Sequence, residues 1–347
     1  MSSVMSAQVL SIDTPAAFKA ALTQCVELLR AGELVGLPTE TVYGLAANAL
    51  HPEAVARIFA VKGRPAHNPV IVHVAGVEMA RRCVAEWTPP AEKLAAAFWP
   101  GPLTLILPRS GIIPDLITAG GQTVGVRWPS HPFIQAVIRR CDFPLAAPSA
   151  NLSSQISPTT AEHVRKSLGD KIRLIIDGGP SHVGIESTVL DLTCKPARVL
   201  RPGMIHDESL VAVLGELQPA ERGRRPDAGE GATPEIVRSP GLLLKHYSPQ
   251  ARLVIWQWQD EEDLKSQISN LKSQIHDAHI LAHTRIPFHR EFGRVSVMPH
   301  DPQAFARAIY AELHRSDEAG AKLIVVEALP DAGEWQAITD RLRRAAA

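Results

Sequence analysis

The sequence predicts an α+β domain built on a twisted sheet, followed by a smaller three-layer α/β domain, and three observations carry that reading. Short apolar or alternating runs interleave irregularly with helical patterns over the first 217 residues. A stretch rich in Gly, Pro and charge, QPAERGRRPDAGEGA at 218–232, then breaks the pattern as a flexible linker would. Beyond it, strands alternate with amphipathic helices. The expected boundaries are 1–217 for the first domain, 218–249 for a linker or lid, and 250–347 for the second domain.

In order along the chain, Thr14-Pro15 caps a helix whose apolar positions are Leu22, Val26 and Leu29. Glu33–Leu37 is a short strand ending in a turn before PTETVYGL, and His51-Pro52 opens a helix carrying Val55, Ile58 and Phe59 on one side. Val70–Val74, Leu103–Leu107 and Thr123–Arg127 read as strands, the last alternating with period two. Thr159 and Glu162 are expected to form a capping box opening a helix over 160–168. Strands at 173–177 and 188–192 complete the first unit. The second unit reads as strands at 253–258, 280–283, 294–298 and 323–327, with helices through 305–313 and 335–344. Within it LKSQISN is followed at once by LKSQIHD, and the expectation for this duplicated heptad is one lengthened surface helix.

Composition narrows the function. With 36 Lys+Arg against 36 Asp+Glu the net charge is zero, which excludes a broadly basic nucleic-acid coat while allowing a local cationic pocket. The four cysteines, Cys25, Cys83, Cys141 and Cys194, form no CxxC pair, so neither a zinc ribbon nor a dense disulfide frame is expected, and no protein-held metal. The start has no export-signal pattern, and apolar runs such as LAAAFW at 94–99 are far shorter than the about 18 residues a membrane span needs. The expected location is cytoplasmic, with no membrane association. Phosphate loops of the GxxxxGK[ST] and GxGxxG types are missing, so a nucleotide user would need another cradle.

Several polar clusters stand where strands end, positions that a sheet fixes while leaving polar atoms free. PTETVYGL at 38–45 offers hydroxyls beside a turn glycine. Lys62-Gly63-Arg64, stiffened by Pro65 and Pro69, aims two cations at one anion. Alternation puts Thr123, Gly125 and Arg127 on one strand face, with a ligand carboxylate or a salt bridge to a neighbouring strand as the partner for Arg127. Ala147–Asn151 and Ser157 supply small residues and polar tips, and Glu186-Ser187-Thr188 and Arg201 complete the set. A polyanion beside a small polar molecule suits this collection.

In order, PTETVYGLAANA, KGRPAHNPVIVHV, WPGPLTLIL, TVGVRWPSHP, APSANLS, IIDGG, ESTVLDL and LRPG resemble the L-threonylcarbamoyladenylate synthase family in its long, two-domain form. The resemblance implies a YrdC-type twisted mixed sheet with flanking helices and a Rossmann-like C-terminal domain. It also implies an enzyme, a nucleotidyltransferase that joins L-threonine, bicarbonate and ATP into threonylcarbamoyl-AMP, with Mg²⁺ accompanying ATP. Downstream transferase proteins that modify tRNAs reading ANN codons, and weak contact with tRNA itself, are implied as partners. By the same resemblance Lys62 and Arg64 are catalytic. Thr39, His73, Arg127, Ala147 and Ser187 surround threonine. Lys62, Arg64, Asn68, Thr123, Ser149, Asn151, Ser157, Arg201 and His246 hold ATP, with Tyr247 beside His246. The sequence departs from the family at Leu242-Leu243-Leu244, where Met-Lys-Tyr is usual, and at Gly333-Glu334-Trp335, where Gly-Leu-Gly is usual. Two other classes compete: an RNA-binding module, disfavoured by neutral charge and only 17 aromatic residues (8 Phe, 6 Trp and 3 Tyr), and a carbamoyltransferase of the hydrogenase-maturation kind, which would carry CxxC zinc fingers.

Overall fold

A computed structural model describes residues 6–218, 246–288 and 290–347. The expected linker or lid at 218–249 lies, apart from its ends, outside the described residues, as do Leu242–Leu244.

The first sheet takes ten strands in chain order. They are β1 (Gln8–Ser11), β2 (Val35–Leu37), β3 (Gly44–Asn48), β4 (Val72–His73) and β5 (Leu103–Pro108). There follow β6 (Thr123–Arg127), β7 (Leu145–Ala146), β8 (Leu174–Asp177), β9 (Thr188–Asp191) and β10 (Arg198–Arg201). Across the sheet the order is β1-β8-β2-β3-β7-β4-β6-β5-β9-β10, mixing parallel pairs such as β4 with β6 and antiparallel pairs such as β5 with β6. Its helices are α1 (Pro15–Arg30), α2 (Pro52–Lys62), α3 (Val77–Cys83), α4 (Pro89–Phe98), α5 (Pro132–Cys141), α6 (Ala161–Leu168) and α7 (Asp207–Leu214).

Helix starts reuse one device. At α1, α2, α4 and α5 a Thr or His side chain accepts a first-turn amide while Pro stands just inside the helix, where its missing N–H costs nothing and its fixed φ already suits the helix. At α6 the cap is Thr160, not the expected Thr159. The amide of His163 bonds Thr160 Oγ1 at 3.3 Å, while Thr159 turns toward the His163 ring, so there is no capping box with Glu162. The strand expected over 70–74 shrinks to Val72–His73, because Val70 bonds outside the ladder to the Ile117 carbonyl at 2.8 Å. β3 escaped the sequence reading: GLAAN lacks the β-branched and aromatic residues that mark strands.

The second sheet is parallel throughout, in the order β11-β14-β12-β13. It contains β11 (Arg252–Trp256), β12 (Ala278–Ala282), β13 (Arg294–Val297) and β14 (Leu323–Glu327), with α8 (Glu261–Asn270), α9 (Pro302–Glu318) and α10 (Gln336–Ala345). The duplicated heptad is not one helix. Its first copy lies in α8 and buries Leu264 and Ile268, but the helix caps at Leu271. The matching Leu271 and Ile275 of the second copy only reach the edge of that core, and Lys272 turns the chain at φ 57° toward β12. A second buried turn has no room before the strand begins. The Gly333–Trp335 segment is a 3₁₀ turn whose indole packs edge-on against Phe305 at 5.4 Å.

The two units share an apolar core, since Val42, Ile156 and Ile185 of the first pack with Phe305, Ile309 and Ile338 of the second. Gly184 marks the closest approach: at φ 87° it abuts α9, and a Cβ there would lie 2.4 Å from the Ala306 carbonyl oxygen. Among the described residues no helix is long and apolar enough to cross a membrane. The four cysteines are free, three of them buried.

Candidate active site

Sheet register brings the first two functional side chains together. β4 and β6 run parallel with His73 opposite Arg127, so both project at one level. Arg127 is buried and firmly held. One guanidinium nitrogen meets Glu40 Oε1 at 2.7 Å, the other donates to Thr41 Oγ1 at 3.0 Å, and Nε donates to the Gly101 carbonyl at 3.3 Å. The sequence left open a salt bridge to a neighbouring strand; the partner is instead Glu40, in the turn between β2 and β3, and Arg127 also lines a cavity. Burial first, then the adjacent Arg127, push the His73 imidazole down to about 3, so it is neutral at physiological pH. Thr39 sits at the rim with its hydroxyl donating to the Val42 carbonyl at 2.6 Å and accepting the amides of Thr41 and Val42.

The end of α2 builds the second wall. Gly63 ends the helix at φ 60°, a left-handed turn that glycine makes at no steric cost. This turn sends the two flanking cations different ways. Arg64 lines the cavity, its guanidinium steadied by the Asn68 carbonyl at 3.0 Å, Asn68 Oδ1 at 2.7 Å and the Pro69 carbonyl at 2.6 Å. Burial pushes it down to about 10, so it keeps its charge. Lys62 points behind the wall, where Nζ donates to the Ser149 carbonyl at 2.6 Å and to the carbonyl and side-chain oxygens of Asn151. Burial and the Arg64 charge push its ammonium well below the usual lysine range.

Two loops close the third wall. Gly203 lets LRPG press on the start of β9, where a Cβ would come within 2.3 Å of the Thr188 nitrogen. That contact seats Arg201, which donates to the Ser187 carbonyl at 3.0 Å and to Ser187 Oγ at 3.1 Å. Glu186 faces the same space. Burial alone would push its carboxyl up, but the guanidiniums of Arg341 and Arg201 outweigh burial and bring it down to about 2.

These walls bound a cavity with about 570 Å³ of empty space, open solvent at its mouth included. Thr39, His73, Arg127, Ala147 and Ser187 all line it, and so do Arg64, Ser149, Arg201, His246 and Tyr247. Lys62, Asn68 and Asn151 stand behind the lining as its braces. Ser157 is turned onto Glu186 at 2.6 Å, and Thr123 begins β6 opposite Pro108, about 13 Å of strand from Arg127. The sequence reading assigned no role to Thr41, Gly44 and Glu186, although its quoted motifs contain them. It named no site residue of the second domain, yet Tyr310 donates to Glu186 at 3.0 Å and Arg341 donates to it at 2.9 Å.

His246 and Tyr247 enter from the far side of the chain. The His246 amide bonds the Arg344 carbonyl at 3.1 Å, and the Ser248 amide bonds the Ser154 carbonyl at 2.9 Å, tying this segment to both units. Burial, partly offset by Glu186 and reinforced by Arg64, pushes His246 down to about 3. Among the described residues no group of three or more His, Cys, Asp and Glu is placed to hold a metal ion.

Comparison with known proteins matches residues 27–203 to the family described as telomere recombination, the Sua5–YciO–YrdC group. Residues 205–347 match the threonylcarbamoyl-AMP synthase C-terminal domain. The chain is 38% identical over 322 residues to the threonylcarbamoyl-AMP synthase of Pyrococcus abyssi, covering 91% of each chain. It is 38% identical over 332 residues to that of Bacillus subtilis, covering 94% of this chain and 92% of the relative. A solved structure of P. abyssi Sua5 complexed with L-threonine superposes with a TM-score of 0.85 at 36% identity, covering 98% of this chain and 97% of the other.

Proposed function

The chain belongs to the threonylcarbamoyl-AMP synthase family, and from that premise we propose that its cavity holds L-threonine against ATP and joins them through bicarbonate. It is an enzyme making an AMP-linked threonylcarbamoyl product. The observation that carries the assignment of the site is the convergence of two kinds of wall on one space. A strand-borne Arg–His pair sits in register on one side, and the cations Arg64 and Arg201 sit on the other.

In this reading the Arg127 guanidinium, already held by Glu40 and Thr41, pairs with the threonine carboxylate. Ser187 offers its hydroxyl to the rest of the amino acid, Thr39 holds the turn that faces it, and Ala147 leaves space beside it. His73, neutral and a poor base, orients the amino group by hydrogen bonding rather than removing its proton. The threonine nitrogen, as the free amine after its ammonium proton has passed to solvent, adds to bicarbonate with loss of water, and an oxygen of the resulting carbamate attacks the α-phosphorus of ATP. Pyrophosphate leaves with the electron pair of the broken P–O bond. Attacker and target are both anionic, so the step depends on Arg64 and Arg201 offsetting that charge in a space of low dielectric. Ser149 and His246 complete the nucleotide wall. Lys62 and Asn68 act through the groups they brace, Lys62 through the loop at 149–151 and Asn68 through Arg64. Holding three reactants together accounts for the rate without a covalent intermediate.

Glu186, a carboxylate among the lining residues, spends its oxygens on Ser157, Tyr310 and Arg341. We therefore assign Mg²⁺ to the ATP phosphates as part of the substrate. The product is the donor for threonylcarbamoyl modification of tRNA, so a cytoplasmic transferase system is the proposed consumer, with tRNA at most a weak ligand here.

Mass spectrometry of products from ATP, ¹³C-bicarbonate and L-threonine tests the reading. A labelled threonylcarbamoyl-AMP with equimolar pyrophosphate is expected. ATP turnover independent of threonine, or activity only with carbamoyl phosphate, would sink it.

A further inference from the structure

Glu186 places a negative charge in the wall of a cavity that also presents Arg64, Arg127 and Arg201. A bare carboxylate there would work against any polyanionic ligand, and burial would magnify the repulsion. The second domain removes that difficulty. Arg341, on α10 and 1% exposed, donates from Nε to Glu186 Oε2 at 2.9 Å and from a terminal nitrogen to the Glu186 carbonyl at 3.2 Å. Its other terminal nitrogen donates to the Pro202 carbonyl at 2.9 Å, next to Arg201. The same guanidinium lies 5.5 Å over the ring of Tyr247, another lining residue. Asp340 also touches Arg341 at 2.9 Å, but Arg344 pairs with Asp340 at 3.0 Å, so the charge of Arg341 is not consumed there. One side chain of the second domain thus bears on three parts of the cavity wall.

We propose that Arg341 is a positioning residue for the nucleotide half of the site, cancelling the charge of Glu186 and fixing Tyr247 and the 201–203 loop so that the cavity stays cationic toward a triphosphate. The inference rests on the reading of this cavity as the ATP site. It gives the second domain a part in substrate binding without contact to substrate. It also explains why a buried ion pair spans the two units where apolar contact alone would join them. Such a pair is a weak source of stability, because desolvation offsets most of the attraction, but removing one partner strands the other.

The test uses the full chain and compares R341M, R341K and the double variant E186Q/R341M by ATP calorimetry and by KM for ATP and for threonine. In R341M, ATP affinity and KM for ATP should worsen by about tenfold or more, with KM for threonine moving by less than about threefold. R341K, which keeps the charge but not the forked geometry, should fall between R341M and wild type. The double variant should recover part of the ATP affinity, because the stranded charge is gone while the contacts to Pro202 and Tyr247 stay lost. It also serves if R341M folds poorly, since replacing both members of a buried pair is well tolerated. Unchanged ATP affinity in R341M, equal losses for both substrates, or a folded double variant with no recovery overturns the inference. Wild-type protein that binds no ATP overturns instead the reading of the site on which it rests.

Discussion

The threonine half and the nucleotide half of the cavity are built differently. All five residues assigned to threonine, Thr39, His73, Arg127, Ala147 and Ser187, line the space, whereas of the nine assigned to ATP only Arg64, Ser149, Arg201 and His246 do so. The first set stands on or beside sheet strands, where register fixes each side chain before any ligand arrives. The second is held by the turn after α2, the loop at 149, the end of β10 and a segment pinned between two domains, and three of its missing members, Lys62, Asn68 and Asn151, brace those supports. A rigid pocket for the small amino acid and a propped one for the large nucleotide is what the difference teaches. The half made of loops needs a scaffold, and the second domain supplies part of it.

The comparison breaks first at Arg127. Arg127→Ala should cut kcat/KM for threonine by about a thousandfold. It should also cost about 3–5 kcal/mol of stability by stranding the buried Glu40, read by product analysis and urea unfolding. Threonine use surviving this change would show that the strand pair is not the amino-acid half. Next come the two cations of the α2 turn. Arg64→Ala should raise KM for ATP by about thirtyfold and cost about 1–3 kcal/mol of stability, because the carbonyls of Asn68 and Pro69 lose their buried donor. Lys62→Ala should depress turnover comparably and also cost about 1–3 kcal/mol, because the carbonyls of Ser149 and Asn151 lose their buried donor. A Lys62→Ala variant as stable as the wild type would show the bracing role to be wrong. His246→Ala should be milder, raising KM for ATP by about tenfold while leaving threonine nearly untouched.

The last effect is on acid stability. His73 and His246 titrate near 3 in the fold against 6.5 in the open chain, so below pH 6.5 the unfolded state takes up protons that the folded state refuses. Each should cost about 1.4 kcal/mol per pH unit as the pH falls from 6.5 toward 3. Glu186 adds a stabilisation present above about pH 4.5 and lost on descent to about 2. Unfolding curves from pH 7 to 4 should therefore show falling stability, and His246→Ala should flatten the slope by one proton. A slope unchanged in that variant would place its imidazole in solvent and loosen the nucleotide wall.

Much of this was legible in the chain, for local reasons. Thr14-Pro15 and His51-Pro52 announce helix starts because capping is settled within four residues, and the same grammar was there to read at Thr88-Pro89, His131-Pro132 and Asp301-Pro302. Arg127 could be placed on a strand face by alternation, though not its partner: a period-two pattern names the face and says nothing of Glu40, which returns from a separate turn. Lys62 and Arg64, two apart, looked like one paired clamp. The left-handed φ of Gly63 splits them, and a string of letters does not display that dihedral. The duplicated heptad misled for the opposite reason, since identical local propensity gave two outcomes once only the first copy found a core to bury Leu264 and Ile268.

Sequence by itself determined the two-domain plan, helix starts such as those of α1 and α2, and the set of polar motifs, because periodicity, capping and turn chemistry act over a few residues. Only the tertiary structure decided which of those polar groups face the cavity and which hold it up. It alone brought Arg341, in a run of unremarkable basic residues in α10, to Glu186 across 155 positions. The charge on a buried side chain is set by what packs against it, and that packing is decided when distant segments meet.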